Sequence, residues 1–189
     1  MREISTFIWR LGHEPDVRAQ HEAGMALRDR ALRVRPCAYT NISHSGRYIA
    51  VICGHCPVGV DTERLSRRVL PSVIERAYSG FEREYALRAG NTGALRVFCA
   101  KEAYGKCMGV GLAYDFRNTA FIPAGEAPLT VSRVAGVPEN YALSDWFDGE
   151  MTVSMCANDP DAVILPPVEW DAEGECFKNV TTVLSFCRF

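Results

Sequence analysis

Apolar positions change their period along the chain, and each change marks an element. Ile4 to Arg10 reads as a short strand. Pro15 and Asp16 then open a helix that runs to about Arg33, with apolar or small residues at Val17, Ala23, Ala26, Leu27 and Ala31. Arg35-Pro36 ends it, because proline disfavours the helical region for the residue before it. Tyr48 to Cys53 and Val58 to Asp61 are β-branched, apolar runs separated by Gly54-His55-Cys56-Pro57, the pattern of a hairpin or of two adjacent strands. Pro71 to Tyr78 and Gly80 to Arg88 read as short helices. Thr92 is placed to cap a longer one over Ala94 to Met108, which stops at Gly109. Beyond it the chain alternates strand-like runs and turns. Leu129 to Val134 and Met151 to Met155 are the clearest strands, the second after an Asp148-Gly149 turn. Asn158 to Pro167 is rich in turn formers, and Val180 to Phe186 is apolar. The class is α+β.

With 189 residues, 48% of them hydrophobic and 23% charged, the chain has enough apolar material for one domain or two small packed halves. A net charge of −2 gives no case for nucleic-acid binding. No run approaches the roughly 20 apolar residues that cross a bilayer, and the N-terminal residues lack the pattern of a secretory signal. Cys53 and Cys56 form a C-x-x-C without a second pair at a zinc-site distance, so the eight cysteines are expected as reduced thiols in a cytoplasm. Arginines cluster at Arg28, Arg30, Arg33 and Arg35 and again at Arg64, Arg67 and Arg68, either as solvated faces or as cradles for a multiply charged anion.

Three segments carry chemistry. In Val58-Gly59-Val60-Asp61-Thr62-Glu63, the carboxylates of Asp61 and Glu63 are two apart at a strand end and share a face. Hard divalent cations such as Mg²⁺ take one or two such carboxylates from protein and the rest from water and phosphate. In Phe98-Cys99-Ala100-Lys101-Glu102-Ala103-Tyr104-Gly105-Lys106, followed by Gly109-Val110-Gly111-Leu112, helical spacing sets Phe98, Glu102 and Lys106 in one stripe. Glu102 would then complete a carboxylate cluster, Lys106 would meet a phosphate, and Lys101 would point away toward solvent or an outer contact. In Asn41-Ile42-Ser43-His44-Ser45-Gly46, a turn before a strand, Ser43 and His44 offer donors to a phosphate oxygen. No G-x-S-x-G elbow supports a serine nucleophile.

Taken in chain order, the segments resemble the surfactin-type phosphopantetheinyl transferases, with their S-H-S turn, their G-[IV]-D-x-E strand end and their W-x-x-K-E-[AS]-x-x-K helix closing on G-x-G-L. The likeness covers about residues 35 to 112. It implies a 4′-phosphopantetheinyl transferase-like fold of two pseudo-symmetric α+β halves, here 1–57 and 58–189, with the first abbreviated to a strand and a helix. It implies Mg²⁺ held by Asp61, Glu63 and Glu102, coenzyme A as co-substrate and an apo acyl or peptidyl carrier protein as acceptor. Glu102 would be the general base, Lys106 would contact the phosphates, and Ser43 with His44 would hold the 3′-phosphate. Arg35 stands where the family places a lysine in Gly-Lys-Pro, and Phe98 where it favours tryptophan. The single-half holo-acyl-carrier-protein synthases, which form trimers, carry their aspartate nearer the N-terminus, so a two-half monomer is expected, with oligomerisation as compensation for the short half. The alternatives are a non-catalytic homologue that binds coenzyme A or the carrier, and an unrelated metal-dependent phosphohydrolase.

Overall fold

A computed structural model describes residues 2–110, 116–125 and 127–180. Gly111 and Leu112 of the third segment, and the apolar run from Thr181 onward with Cys187, lie outside them.

Among the described residues, two sheets and three α-helices form four layers. The first sheet contains β1 (Glu3–Arg10), β2 (Tyr39–Ser45) and β3 (Tyr48–Gly54). It is completed by β9 (Val163–Ile164), β10 (Val168–Asp171) and β11 (Cys176–Asn179), in the order β11-β10-β1-β3-β2 with β9 also on β1. The second has the order β4-β8-β7-β6-β5, from β4 (Val58–Arg64), β5 (Ile122–Pro123), β6 (Ser132–Ala135), β7 (Ala142–Phe147) and β8 (Met151–Ala157). Strand parity assigns each side chain to a layer. Ile4, Ile8, Ala50 and Ile52 of the first sheet meet Val58, Val60, Val153 and Met155 of the second in a shared core. Phe7, Ile49, Val51 and Cys53 face the other way, onto Leu27 and Ala31 of α1 (Val17–Val34). Leu143 and Cys156 lie under Ala100, Ala103, Tyr104 and Cys107 of α3 (Gly80–Met108). Both faces of β3 and β8 are therefore covered and every residue of each is buried; β3 reads as an unbroken apolar run, whereas Thr152 and Ser154 interrupt β8.

The predicted strand over 48–53 and the one over 58–61 are not a hairpin. β3 pairs with β1 and β2, whereas β4 leaves for the second sheet and pairs with β8. The Ser43-His44-Ser45 segment lies at the end of strand β2, and the turn follows it at Gly46. Residues after 158 return to the first sheet, so the crossover at 57/58 separates the sheets but the C-terminal strands do not stay with the second. Pro166 and Pro167 interrupt the run alongside β1 and divide β9 from β10.

The helices follow their caps. Asp16 accepts from the amide of Ala19 at 2.8 Å and starts α1. α2 (Pro71–Ala77) opens on proline at its first position. Ser79 and Glu82 form a reciprocal capping box at the head of α3. The two helices expected over 80–108 adjoin at Gly90, whose non-helical φ of 65° and ψ of −157° suit a residue without a Cβ and break the run there. Thr92 is consequently inside the helix and not its cap. The predicted strand over 129–134 is shorter and later, at Ser132–Ala135.

Candidate active site

The site forms where the edge strands of the two sheets meet beneath α3. β4 has β8 on one side only, so every second amide on its other side needs an acceptor. Side chains of β2 supply them. Val60 N donates to Asn41 Oδ1 at 3.0 Å, Thr62 N to Ser43 Oγ at 3.3 Å and Arg64 N to Ser45 Oγ at 3.4 Å. The period-2 row Asn41, Ser43, Ser45 is a polar seam in place of a backbone ladder. Its hydroxyls then turn to the carboxylates: Ser43 Oγ donates to Asp61 Oδ1 at 2.9 Å, and Ser45 Oγ to Glu63 Oε2 at 2.5 Å.

Gly59 lets α3 approach. A Cβ there would lie 2.1 Å from the Ala103 carbonyl oxygen and 2.5 Å from the Cys107 amide nitrogen. That close packing brings Lys106 over β4, where its Nζ donates to Asp61 Oδ1 at 2.8 Å, to Ser43 Oγ at 3.1 Å and to Val60 O at 3.1 Å. Asp61 is only 6% exposed, and its Oδ2 has no hydrogen-bond partner among the described residues. The Cys99 thiol lies beside the same carboxylate. Burial first, and the charge of Asp61 second, hold that thiol well above its usual range. A thiol is a weak donor, so the capacity of Oδ2 for a cation is unspent.

Glu102, half-buried one turn before Lys106, has its pKa raised. Burial is the main cause and the charge of Asp61 adds to it, while Lys106 and Arg67 pull the other way. Glu63 is engaged on both oxygens, with Ser45 on one and Arg67 on the other. Arg67 also lies over the ring of Phe98, 5.3 Å from its centroid. Among the described residues no three His, Cys or carboxylate groups converge as a ready metal cage. The donor set nevertheless fits Mg²⁺: a buried, unpartnered carboxylate oxygen on Asp61, with Glu102 near enough to feel that charge, matches an ion that takes one or two protein carboxylates.

Other predicted residues stand apart. His44 is exposed on the face of β2 opposite Ser43, the face on which Ile42 meets α1 at Gly24. Arg35 caps the far end of α1, donates to Glu3 Oε2 at 3.0 Å and borders a cavity of about 330 Å³ with Pro36, Cys37 and His55. The two arginine clusters do not act as units. Arg28 pairs with Asp29, Arg30 stacks over Trp9 and Trp170, and Arg64 binds Glu14, because successive helix and turn residues point in different directions. Lys101 is not solvated. It is buried, 2.8 Å from Glu82 Oε1, and donates to the carbonyls of Phe116 and Thr119 at 2.7 and 2.9 Å. A concavity of about 840 Å³ lies elsewhere, against Trp9, Trp170 and the turn at Asp148.

Sequence reasoning missed the seam role of Asn41 and Ser45 and the place of Arg67. The alternation Asn-x-Ser-x-Ser was the available signal for the first. For the second there was only the i, i+4 spacing from Glu63 to Arg67.

A buried aspartate bound to a lysine, a neighbouring glutamate of raised pKa and a second cation thus come together on an α+β frame. The model of the 4′-phosphopantetheinyl transferase superfamily matches residues 57–156, and the chain belongs to that superfamily. A comparison with curated proteins finds no significant match. No helix among the described residues is long and apolar enough to cross a membrane.

Proposed function

We propose that the chain is a surfactin-type enzyme of the cytoplasm that moves the 4′-phosphopantetheine group of coenzyme A onto a serine of an apo acyl or peptidyl carrier protein. The reaction is Mg²⁺-dependent and releases 3′,5′-ADP. The observation that carries this reading is the divided state of Asp61, with one oxygen on Lys106 and the other buried without a partner beside Glu102.

Asp61 and Glu102 would hold Mg²⁺, with Glu63 as a third carboxylate within the same strand register. When bound, the ion neutralises charge on the diphosphate of coenzyme A. Lys106 is fixed by three acceptors and presents the remaining positive charge to the diphosphate oxygens. The carrier serine approaches in line with the β-phosphorus. Its oxygen forms the new P–O bond, the bond to the bridging oxygen breaks, and 3′,5′-ADP leaves with the electron pair. Glu102 takes the serine proton, and burial beside Asp61 raises its pKa and so its proton affinity. In the resemblance His44 and Arg35 serve the adenosine end; Arg35 borders a cavity whose lining does not include His44. Ser43 completes that set in the resemblance, although its hydroxyl is committed to Asp61 and Lys106. In this reading the two sheets are the two halves, and the C-terminal strands enlarge the first.

Intact-mass spectrometry of apo carrier proteins, incubated with the chain, coenzyme A and Mg²⁺, tests the reading. Gain of the phosphopantetheine mass with Mg²⁺ and none with a chelator supports it. No gain on fatty-acid, polyketide or peptide carriers, with coenzyme A bound, would favour a non-catalytic homologue.

A further inference from the structure

Arg67 occupies a built position. The turn after β4 is held from below by Asn91, whose Nδ2 donates to the carbonyls of Arg67 and Leu65 at 2.7 and 3.2 Å and whose Oδ1 accepts from Val69 N at 3.4 Å. Asn91 directly follows the bend at Gly90, so the helix carrying Glu102 and Lys106 also fixes the backbone of Arg67. From there the side chain runs over Phe98 and reaches Glu63. Its charge is felt by Glu102 as well. Three carboxylates thus face two cations, Lys106 and Arg67, and the two cations differ in kind. Lys106 is tied to three acceptors, whereas Arg67 has a side chain 49% exposed.

We propose that Arg67 is an exchangeable cation of this site: it holds Glu63 while coenzyme A is absent and turns its guanidinium onto the diphosphate when coenzyme A binds. The inference rests on the phosphopantetheinyl-transfer reading. A planar guanidinium matches a carboxylate and a phosphate with the same fork of donors, so one side chain serves both partners. Arg67 is half in water but Glu63 is buried, so the arginine leaves it only where another cation takes over, and the metal that accompanies coenzyme A would be that replacement. Glu63 itself stays in place, because Ser45 keeps its second oxygen. Once uncovered, its negative charge adds to the field at the unpartnered Asp61 oxygen. Coenzyme A and the metal therefore favour each other's binding through Arg67, and such coupling is reciprocal.

Two binding measurements on the full chain test this without turnover. Mn²⁺ binding is followed by electron paramagnetic resonance in the absence of coenzyme A. Coenzyme A binding is followed by calorimetry, once in chelator and once with Mg²⁺. Arg67→Ala is expected to tighten Mn²⁺ several-fold and to weaken coenzyme A roughly tenfold, the scale of one lost hydrogen bond to a charged group. Arg67→Lys recovers part of the coenzyme A affinity. Arg88→Ala, which removes an exposed charge elsewhere on α3, leaves both within about twofold. Opposite signs for the two ligands are the mark of exchange, since a purely structural arginine weakens both or neither. Parental binding of both ligands by Arg67→Ala, a shift of both in one direction, or an equal shift from Arg88→Ala overturns the inference, and phosphopantetheine transfer by the parent chain would survive that outcome. A parent chain that binds coenzyme A under neither condition overturns the underlying reading and this inference together.

Discussion

Lys106 Nζ lies 2.8 Å from Asp61 Oδ1, and the same carboxylate keeps Oδ2 buried and unpaired. The lysine balances the aspartate only in part, which leaves an oxygen for a cation. Asp61→Asn retains the shape and loses the charge. It is expected to lower the transfer rate by about 10²–10³ or more, the scale of removing a group that stabilises developing charge. Its thermal midpoint in chelator should change little, because Lys106 keeps its bonds to Ser43 and Val60. Transfer by the asparagine variant at the parental rate would remove Asp61 from the site.

Glu102 gives a pH signature. Its folded pKa is raised, chiefly by burial, above the value it has in the unfolded chain. The folded state therefore binds this proton more tightly. That contribution to stability is fully present below the unfolded value and is lost as pH rises through the folded one. Glu102→Gln removes the penalty. Differential scanning calorimetry in chelator should show the variant melting above the parent at about pH 7, with the gap closing near pH 4, below the ordinary glutamate value. A gap that is constant across this range would remove the titration of Glu102 as its cause.

Gly59 carries the approach of α3 to β4. Gly59→Ala sets a methyl group 2.1 Å from the Ala103 carbonyl, a backbone atom that cannot rotate away. Destabilisation by about 1–3 kcal/mol is expected, read as a shift of the urea midpoint. Transfer should fall as well, because Glu102 and Lys106 ride on the displaced helix. A variant as stable as the parent would show that the helix has room to move.

The local elements were largely legible in the chain. Asp16 announced α1, Gly109 ended α3, and helical spacing set Glu102 and Lys106 in one stripe, of which Lys106 meets Asp61 across β4 and α3. Partnerships set by distant sequence were not. Phe7 pairs with Val168 in a parallel register that no local period encodes. The break between β3 and β4 looks the same whether the next strand joins the same sheet or the facing one. Lys101 shows the same limit for a charge. Its helical neighbours carry the motif, but its burial depends on Glu82, nineteen positions away and itself needed for the α3 cap.

That pair predicts an asymmetric result. Both charges are buried, and Glu82 also accepts from the amides of Ser79 and Phe121 at 2.6 and 2.8 Å. Lys101→Met leaves this carboxylate without its counter-charge in a dry setting and should cost about 3–5 kcal/mol. Glu82→Gln in the Lys101→Met background should restore part of it by removing the uncompensated charge, but only part, because the amide keeps one acceptor oxygen and turns its NH2 toward either the Ser79 or the Phe121 N–H. Chemical denaturation of the two variants measures the difference, and equal loss in both would show that packing of the lysine stem outweighs its charge.

Ser43 and His44 are adjacent in sequence and opposite in space, with Ser43 turned to Asp61 and His44 outward. A ligand of the 3′-phosphate matters only when that phosphate is present, whereas a group that orients Asp61 matters for every donor. Comparing coenzyme A with 3′-dephospho-coenzyme A separates these roles. Ser43→Ala is expected to lower kcat/KM roughly tenfold with both donors, the scale of one lost hydrogen bond to a charged group. His44→Ala should lower kcat/KM by a similar factor with coenzyme A and leave the dephospho donor unaffected. If Ser43→Ala were instead selective for coenzyme A, the serine would reach the 3′-phosphate, and the bond to Asp61 in the free chain would have to open as the nucleotide enters.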